Sequence, residues 1–119
     1  MWVATAIAVD RDGNSQLFLR DDFDAPGITR VYVSLVVSGA PWAAGSYVTA
    51  IAGKIEVTTT DRRTYRLNPA TSPGSFELQI ERVVPATTGD HYYLKGSFVA
   101  TVPSTSKLGE LLTINVGIN

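Results

Sequence analysis

Alternation of apolar and polar residues with a period of two is the feature that most restricts how this chain of 119 residues folds. It is clearest in residues 75–82, where Phe76, Leu78 and Ile80 alternate with charged or amide side chains. In a β-strand every second side chain lies on one face, whereas an amphipathic helix repeats its apolar residues about every 3.6 positions. No window shows the helical spacing, and a short helical turn is compatible only with residues 106–112. The sequence therefore predicts an all-β protein.

Glycine, proline, aspartate and asparagine interrupt the apolar segments at intervals typical of turns between short strands. The strongest turn signal is Asp12-Gly13, because both central residues of a tight hairpin turn need a positive φ angle. Gly53 is predicted to mark a bulge or bend inside a longer strand. The predicted strands comprise residues 3–9, 16–20, 28–38, 46–52 with an extension to 59, 64–67, 75–82, 92–102 and 111–118.

Most of the predicted strands have one apolar face, and a sheet of that kind needs a second layer to cover it. We therefore expect a single domain over residues 1–119 that folds as an antiparallel β-sandwich of seven to nine strands. A small closed barrel is the alternative, because a barrel also covers one face of its strands. A chain of this length buries roughly two-thirds of the surface of its unfolded state, which is enough for one core without disulfide bonds.

Composition argues against several classes of function. Lys and Arg number 10, Asp and Glu number 11, and the pI is about 5.7, so the basic stripe typical of nucleic-acid binding is missing. No apolar stretch approaches the ~20 residues of a membrane-spanning helix, so no membrane span is predicted. With no cysteine, the chain has no disulfide, no thiolate zinc site and no thiol nucleophile.

Four segments follow one another in an order that is shared by a known group of domains. They are Trp2-Val3-Ala4-Thr5, Gly45-Ser46-Tyr47, the strand from Phe76 to Val83, and Leu94-Lys95-Gly96-Ser97-Phe98. This order resembles a family of uncharacterised bacterial extracytoplasmic β-sandwich domains, many of them lipoproteins. The resemblance implies a sandwich fold, a non-enzymatic role and a location in the periplasm or at the cell surface. It transfers no functional residues, and this chain departs from the family pattern in lacking a lipobox cysteine and a signal segment.

Acidic residues cluster in two predicted loops that flank the second strand. Asp10, Asp12 and Asn14 surround one turn, and Asp21 and Asp24 lie in the next loop. Calcium takes several hard oxygen ligands, which these side chains supply, although the glycine comes too early for an EF-hand loop. Two interpretations stay open: a hairpin turn with a solvated acidic loop, or a calcium site where the two loops meet. No other cofactor is predicted.

Aromatic residues offer a second candidate binding site. Trp42 lies in a loop between two runs of small residues, and a large flat ring on such a loop can stack on a sugar or contact a partner. Tyr32, Tyr65 and Tyr93 are predicted to lie on outward faces and to extend this platform. The alternative is that Trp42 folds back and plugs one end of the sandwich, as Trp2 would at the other end.

No catalytic constellation is predicted. His91, the only histidine, follows Asp90 at a turn, and neighbouring residues of a strand point to opposite faces, so the pair does not form a triad. Glu77 and Glu81 lie on one face of a strand roughly 13 Å apart, which exceeds the separation of the two carboxyls of a glycosidase. A small hydrolase that uses these carboxylates with Glu56 or Glu110 from another strand is the alternative.

The sequence therefore predicts a non-catalytic binding or assembly module with a protein or glycan partner. One alternative is a carbohydrate-binding module that uses Trp42, and another is a structural or decoration protein of a virion or cell surface. Residues 57–60 are predicted to form a sheet edge that pairs with another copy, while Lys54, Arg62 and Arg63 limit such pairing. A homo-oligomer is thus one expected state, and an extracytoplasmic location is expected.

Overall fold

The computed structural model describes residues 2–19, 27–85 and 89–119, with all their side chains except that of Trp2. These residues form strands and no helix, which confirms the predicted all-β class. In place of the helical turn considered for residues 106–112, the chain makes bends and a turn before the last strand. No described segment is a helix able to cross a membrane. The strands are β1 (Trp2–Ala4), β2 (Ala6–Arg11), β3 (Asn14–Leu19), β4 (Ile28–Ser38), β5 (Gly45–Tyr47), β6 (Ala52–Thr59), β7 (Thr64–Leu67), β8 (Phe76–Pro85), β9 (His91–Pro103) and β10 (Leu111–Ile118).

These strands belong to one hydrogen-bonded sheet. Its main path runs β1-β10-β9-β2-β3-β4-β6-β7, and β8 pairs with β9 and β5 beside that path. The pairings are antiparallel except that of β1 with β10, so the sheet is mixed and not purely antiparallel as predicted. The sheet does not close on itself, so the barrel that the sequence left as an alternative is not formed.

The sheet folds into two facing layers because β9 changes neighbours along its length. Its first part pairs with β2, from Gly96 onward it pairs with β10, and β8 follows it along the other side. The first layer comprises β7, β6, β4, β3 and β2 with the start of β9 and the end of β8. The second layer comprises β1, β10 and β5 with the rest of β9 and β8. Across the core, β9 also contacts β6 and β7.

The β8–β9 pair bends where it passes from one layer to the other, and Gly96 permits the bend. A Cβ atom at position 96 would lie 1.8 Å from the carbonyl oxygen of Gln79, far inside van der Waals contact. On the facing strand the register shifts between Ile80 and Arg82, which leaves Glu81 as a bulge. A glycine on one strand and a bulge on the other therefore let the pair turn without losing its ladder of hydrogen bonds.

Two predicted strands are each divided in the structure. Residues 3–9 break at Thr5, because β1 joins the second layer whereas β2 joins the first. Residues 46–59 break after Tyr47, because β5 pairs with β8 and β6 pairs with β4. Gly53 lies in a regular part of the β4–β6 register and not in a bulge. Its backbone approaches Ser34 so closely that a Cβ atom would lie 2.2 Å from the Ser34 carbonyl oxygen.

One cluster of buried apolar side chains fills the space between the layers. It contains the side chains that the alternation predicts to face inward, because an inward position in either layer removes apolar surface from water. The predicted inward residues that are buried are Val31, Val33, Leu35, Val37, Phe76, Leu78, Ile80, Leu94, Phe98, Ala100, Val102, Ile114, Val116 and Ile118.

The outer strand of the first layer is fastened to the segment that links β9 to β10. Tyr65 of β7 forms an isolated bridge with Ser104, and the backbone N–H of Thr105 donates to the carbonyl of Thr64 at 3.0 Å. In the order of the sheet, strand β6 lies between β4 and β7, so it is not an outer strand. The prediction that residues 57–60 form an exposed edge is wrong, because β7 pairs with β6 along that side.

Candidate functional site

Trp42 lies inside the molecule and not on an exposed platform. Its side chain is only 2% exposed, and its indole N–H donates to the carbonyl oxygen of Gln16 at 3.2 Å. The ring meets that of Tyr47 edge to face, with centroids 4.9 Å apart. The loop thus folds Trp42 back over the core, which corrects the platform prediction and matches the alternative of a plug. The position of the Trp2 side chain lies outside the described residues.

A hydrogen-bond network holds this plug in place. The Tyr92 hydroxyl donates to Asp10 Oδ1 at 2.5 Å and accepts from the backbone N–H of Trp42 at 2.9 Å. Buried Ser15 donates to the carbonyl oxygen of Gly39 at 2.8 Å, and its Oγ also lies 3.2 Å from Asp10 Oδ1. Burial, together with the hydrogen bond to Asp10, raises the pKa of Tyr92 to about 12. Tyr92 therefore stays protonated and continues to donate to Asp10 at neutral pH.

The turn between β2 and β3 has the geometry that its sequence predicts. Asp12 has a φ angle of 54° and Gly13 one of 79°, which is the positive pair that a tight hairpin requires. Asn14 begins β3 and pairs with Arg11 across the turn. The positive φ angles therefore account for the Asp12-Gly13 pair at this turn.

The carboxylate of Asp10 accepts a hydrogen bond from the Tyr92 hydroxyl, which also holds the plug. In the described part of the chain, no three His, Asp or Glu side chains are grouped so that they can hold a metal ion. Asp21 and Asp24, which the sequence predicts as further ligands, lie outside the described residues. Calcium binding between the two loops stays a prediction.

Tyr65 is buried, which corrects the prediction that it lies on an outward face. Its hydroxyl donates to Glu110 Oε1 at 2.6 Å, and Arg63 Nη1 donates to the same oxygen at 2.7 Å. The hydrogen bond from Tyr65 and the positive charge of Arg63 hold the pKa of Glu110 below its usual value of 4.5. We call Arg63, Tyr65 and Glu110 the clasp, because they join β7 to the segment before β10.

The candidate catalytic carboxylates are held in separate places. Glu110 belongs to the clasp, whereas Glu77 on the second layer accepts from Ser46 Oγ at 3.3 Å and from Gln79 Nε2 at 3.4 Å. Glu56 lies on the first layer and accepts from Arg66 Nε at 2.8 Å. The structure therefore does not bring these carboxylates together as a hydrolase with paired carboxyls would require.

His91 lies at the start of β9 and is half-buried. Its Nε2 lies 3.3 Å from the hydroxyl of Tyr93, and the two rings meet edge to face. It also lines a shallow pocket of about 320 Å³ together with Asp10, Asp90 and Tyr92. The hydrogen-bond partner of His91 is thus a tyrosine and not a serine, so the described contacts form no Ser-His-Asp triad.

The outer surface of the first layer carries apolar side chains on adjacent strands. Val84, Tyr93, Ile7 and Phe18 are successive cross-strand neighbours on β8, β9, β2 and β3. At about 4.8 Å between strands, this row spans roughly 14 Å. In a second row, Gln16 of β3 lies between Val9 of β2 and Val36 of β4. We call the following six half-buried residues the apolar face: Ile7, Val9, Phe18, Val36, Val84 and Tyr93.

Two of the predicted platform residues, Tyr93 and Tyr32, lie on this side of the first layer. Tyr93 belongs to the apolar face, and Tyr32 lies nearby on β4, where the ammonium of Lys54 is 5.8 Å from its ring centroid. Beyond Tyr32, Glu56 forms ion pairs with Lys54 at 3.4 Å and with Arg66 at 2.8 Å. An apolar centre with a charged rim is the arrangement found in protein–protein interfaces.

The outer surface of the second layer carries polar side chains together with single exposed apolar ones, among them Val3 at 51% and Leu111 at 62% exposure. Cross-strand neighbours there include Glu77, Val99 and Asn115 in one row, and Thr101 beside Thr113 in the next. The hydroxyls of that threonine pair lie 3.4 Å apart. Among the described strands, only the first layer carries a row of apolar side chains across four adjacent strands, and this surface is the candidate functional site.

No protein-family model, curated protein sequence or solved structure matches this chain. The resemblance to extracytoplasmic lipoprotein-like domains therefore stays a prediction.

The apolar face is not among the sites predicted from the sequence, although the sequence contains a signal for it. Residues 6–9, 17–19 and 35–37 are continuous apolar runs within strands that otherwise alternate. Such runs are typical of strands that are covered on both faces. The signal shows that a second face is apolar, but not that these runs lie on adjacent strands.

Proposed function

We propose that the chain is a non-catalytic β-sandwich module that assembles with a second copy of itself through the apolar face. The observation that carries this proposal is the row of apolar side chains that crosses four adjacent strands on the outer surface of the first layer. A polar surface faces water at little cost, whereas adjacent apolar side chains gain free energy when a partner removes them from water. The apolar runs within the strands support the same conclusion, since the chain itself covers only one face of each layer.

A second copy fits this surface electrostatically. None of the six residues of the apolar face carries a charge, so two copies in contact there place no like charges against each other. The net charge of the whole chain is −1, which gives little long-range repulsion between copies. The rim beside Tyr32 carries both signs of charge, which allows it to pair with itself across a two-fold interface.

The size of the surface is compatible with reversible association. Two rows of side chains on neighbouring strands cover on the order of 250 Å², estimated from the strand spacing and the rise per residue. A stable interface of standard size buries about 800 Å² on each partner, so the apolar face forms the centre of a contact that also includes the charged rim. We therefore expect association that depends on protein concentration.

Sedimentation velocity over a range of protein concentrations tests the proposal. We expect the wild-type chain to self-associate, and Phe18→Lys to weaken self-association at least about tenfold, because it places a charge in the centre of the contact. The matched control is Val99→Lys, which introduces the same charge on the outer surface of the second layer and leaves this contact unchanged. A wild-type chain that stays monomeric at every concentration, or a Phe18→Lys variant that associates as the wild type does, would refute the proposal.

The other functions predicted from the sequence fit this geometry less well. Trp42 and Tyr65, which a carbohydrate-binding module would use to stack on a sugar, are both buried. A structural protein of a virion or cell surface requires self-association, which is also the property proposed here. The extracytoplasmic location stays a prediction.

A further inference from the structure

We infer that Arg82 of β8 and Lys95 of β9 form a binding site for a phosphate-class oxyanion on the outer surface of the first layer. The site lies beside the apolar face but is complete within one copy of the chain. It therefore goes beyond the proposed self-association and can be tested on the monomer.

The two cations are direct neighbours across the β8–β9 pair. The register places Arg82 opposite Lys95, and the adjoining Val83 and Leu94 pack in the core. Because side chains alternate along a strand, Arg82 and Lys95 both point to the outer surface, where both are exposed. The Cβ atoms of residues directly opposite each other lie about 4.5–5.5 Å apart, so both positive groups can reach one small ligand.

The bulge at Glu81 creates this pair of like charges. Before the bulge, Ile80 lies opposite Gly96. If that register continued, Glu81 would lie opposite Lys95, and opposite charges on facing strands stabilise each other. The extra residue brings Arg82 to that place instead. Re-aiming a side chain in this way is a known use of bulges near functional sites.

The bend of the β8–β9 pair accounts for the bulge but not for an arginine at position 82. The position faces outward, so the bend is compatible with any polar side chain there. An arginine places two positive charges side by side, which is unfavourable as long as nothing lies between them. A bound anion turns this repulsion into two attractive interactions.

No carboxylate neutralises the pair within the part of the chain that the structure describes. The acidic partners in the ion pairs are Asp61, Glu56 and Glu110, and their cations are other residues. Glu81 is exposed and forms none of these ion pairs, although it precedes Arg82 in the chain. The donors of Arg82 and Lys95 therefore have no described acidic acceptor.

The number and geometry of the charges favour phosphate over a carboxylate. The guanidinium of arginine offers a planar fork that fits two phosphate oxygens, and lysine adds a point charge. Phosphate carries a charge of about −1.5 to −2 near neutral pH, which matches two cations, whereas a carboxylate leaves one of them unmatched. Because the site is exposed to water, we expect a dissociation constant on the order of 1 mM.

Apolar side chains lie next to the pair and indicate the form of the phosphate. Val84 and Tyr93 are the next outward residues of the two strands and are themselves cross-strand neighbours, about 6.6 Å further along. An apolar ester group can cover them while its phosphate contacts Arg82 and Lys95. We therefore expect phenyl phosphate to bind more tightly than inorganic phosphate. Tighter binding assigns the site to a phosphate monoester, and equal binding assigns it to the free ion.

Titration of ¹⁵N-labelled protein with inorganic phosphate, followed by amide chemical shifts, tests the site. The protein is kept dilute enough to be monomeric, at about pH 8, with sodium chloride at equal ionic strength as the reference. We expect saturable shifts around residues 82 and 95 with phosphate and none with chloride. Shifts that are the same with both salts would refute the inference.

The variants Arg82→Gln and Lys95→Gln show whether both cations are needed. Each should weaken phosphate binding about tenfold, because each removes one charge-assisted contact. The matched control is Arg11→Gln, which removes an exposed cation from the outer surface of the same layer, where its cross-strand neighbour is Asn14. This control should bind phosphate as the wild type does. Equal affinity of the wild type, Arg82→Gln and Lys95→Gln would refute the site.

Urea denaturation checks that the two variants fold. Without phosphate they should unfold at urea midpoints no lower than that of the wild type, since they relieve a repulsion. Phosphate should raise the midpoint of the wild type and of Arg11→Gln more than that of either variant, because a ligand stabilises the state that binds it.

The outcomes separate this site from the proposed function. If phosphate binds at Arg82 and Lys95 in a chain that stays monomeric at every concentration, the inference stands and self-association is refuted. If Phe18→Lys weakens self-association and phosphate does not bind, the inference is refuted and the proposed function stands.

Discussion

At the scale of single residues, Tyr92 is the side chain that links the core to the loop over it. Its ring packs against the buried cluster, and its hydroxyl joins Asp10 of β2 to Trp42 of the plug. A partly buried hydroxyl with both a donor and an acceptor role is costly to delete, because both of its partners lose a hydrogen bond.

We expect Tyr92→Phe to lower the free energy of unfolding by about 1–2 kcal/mol, since the backbone N–H of Trp42 and the carboxylate of Asp10 each lose a hydrogen bond. Urea denaturation followed by circular dichroism measures the effect. The matched control is Tyr93→Phe, which deletes the hydroxyl of the neighbouring tyrosine, whose described partner is His91 on the surface. This control should change stability by less than about 0.5 kcal/mol; equal effects of the two substitutions would contradict the role of Tyr92.

The raised pKa of Tyr92 also predicts how the stability of the fold changes at alkaline pH. Folding raises the pKa of this phenol from 10 to about 12, so the folded state favours the protonated form. Its contribution to stability is complete below pH 10 and is lost as the pH rises from 10 towards 12. Urea midpoints measured across this window should therefore fall more steeply for the wild type than for Tyr92→Phe; identical slopes would argue against the shift.

At the scale of elements, the β8–β9 pair determines that one sheet becomes two layers. The pair contributes strands to both layers, and its bend occurs where Gly96 faces the bulge at Glu81. The close approach of Gly96 to the Gln79 carbonyl leaves no room for a side chain, so this glycine is required by packing as well as by its backbone angle.

Gly96→Ala is expected to lower the free energy of unfolding by at least about 3 kcal/mol, the upper end of the cost of overpacking, or to prevent folding. The reason is that the added Cβ atom must push the β8 backbone away from β9. The control is Gly109→Ala, at a position with a φ angle of 84° but nothing within 4 Å of an added Cβ atom. It should cost only about 1–2 kcal/mol from the unfavourable φ angle. Thermal unfolding compares the two variants, and a Gly96→Ala protein as stable as the control would contradict this account of the bend.

At the scale of the whole molecule, the clasp holds the two layers together at the outer strand of the first. Glu110 receives hydrogen bonds from Tyr65 and Arg63 and lies 3.7 Å from Lys107. The pKa of Glu110 is lowered chiefly by the hydrogen bond from Tyr65, and the pKa of Glu56 is lowered chiefly by that from Arg66. Both carboxylates are therefore favoured in their charged form by folding.

This shift predicts a loss of stability in acid. The contribution of Glu110 is complete above its usual pKa of 4.5 and is lost as the pH falls through its lower value in the folded state. We expect the urea midpoint of the wild type to decrease as the pH falls through this range. The decrease should be smaller in Glu110→Gln, because the glutamine side chain does not titrate. The comparison variant Glu77→Gln, which removes a carboxylate from the surface of the second layer and leaves the clasp intact, tests whether the effect is specific to Glu110. An unchanged acid dependence in Glu110→Gln would show that the clasp does not act through this carboxylate.

The sequence by itself determined the class of the fold and the composition of the core. Alternation in residues 28–38, 75–82 and 111–118 identified strands and assigned their inward side chains, because side-chain direction in a strand depends only on local geometry. The hairpin at Asp12-Gly13 was predictable for the same reason, since its φ angles are a property of the turn residues.

Only the tertiary structure decided which strands are neighbours, and the candidate site depends on that. The apolar face exists because Tyr93, Ile7 and Phe18, which are far apart in sequence, meet on adjacent strands. Burial of Trp42 depends likewise on Tyr92 and Gln16, which belong to two other strands. Residues 57–60 do not form an open edge, because β7, which follows them in the chain, pairs with β6 along that side. Alternation fixes the face on which a side chain lies, but pairing between distant strands fixes what lies beside it, and such contacts leave no local pattern in the sequence.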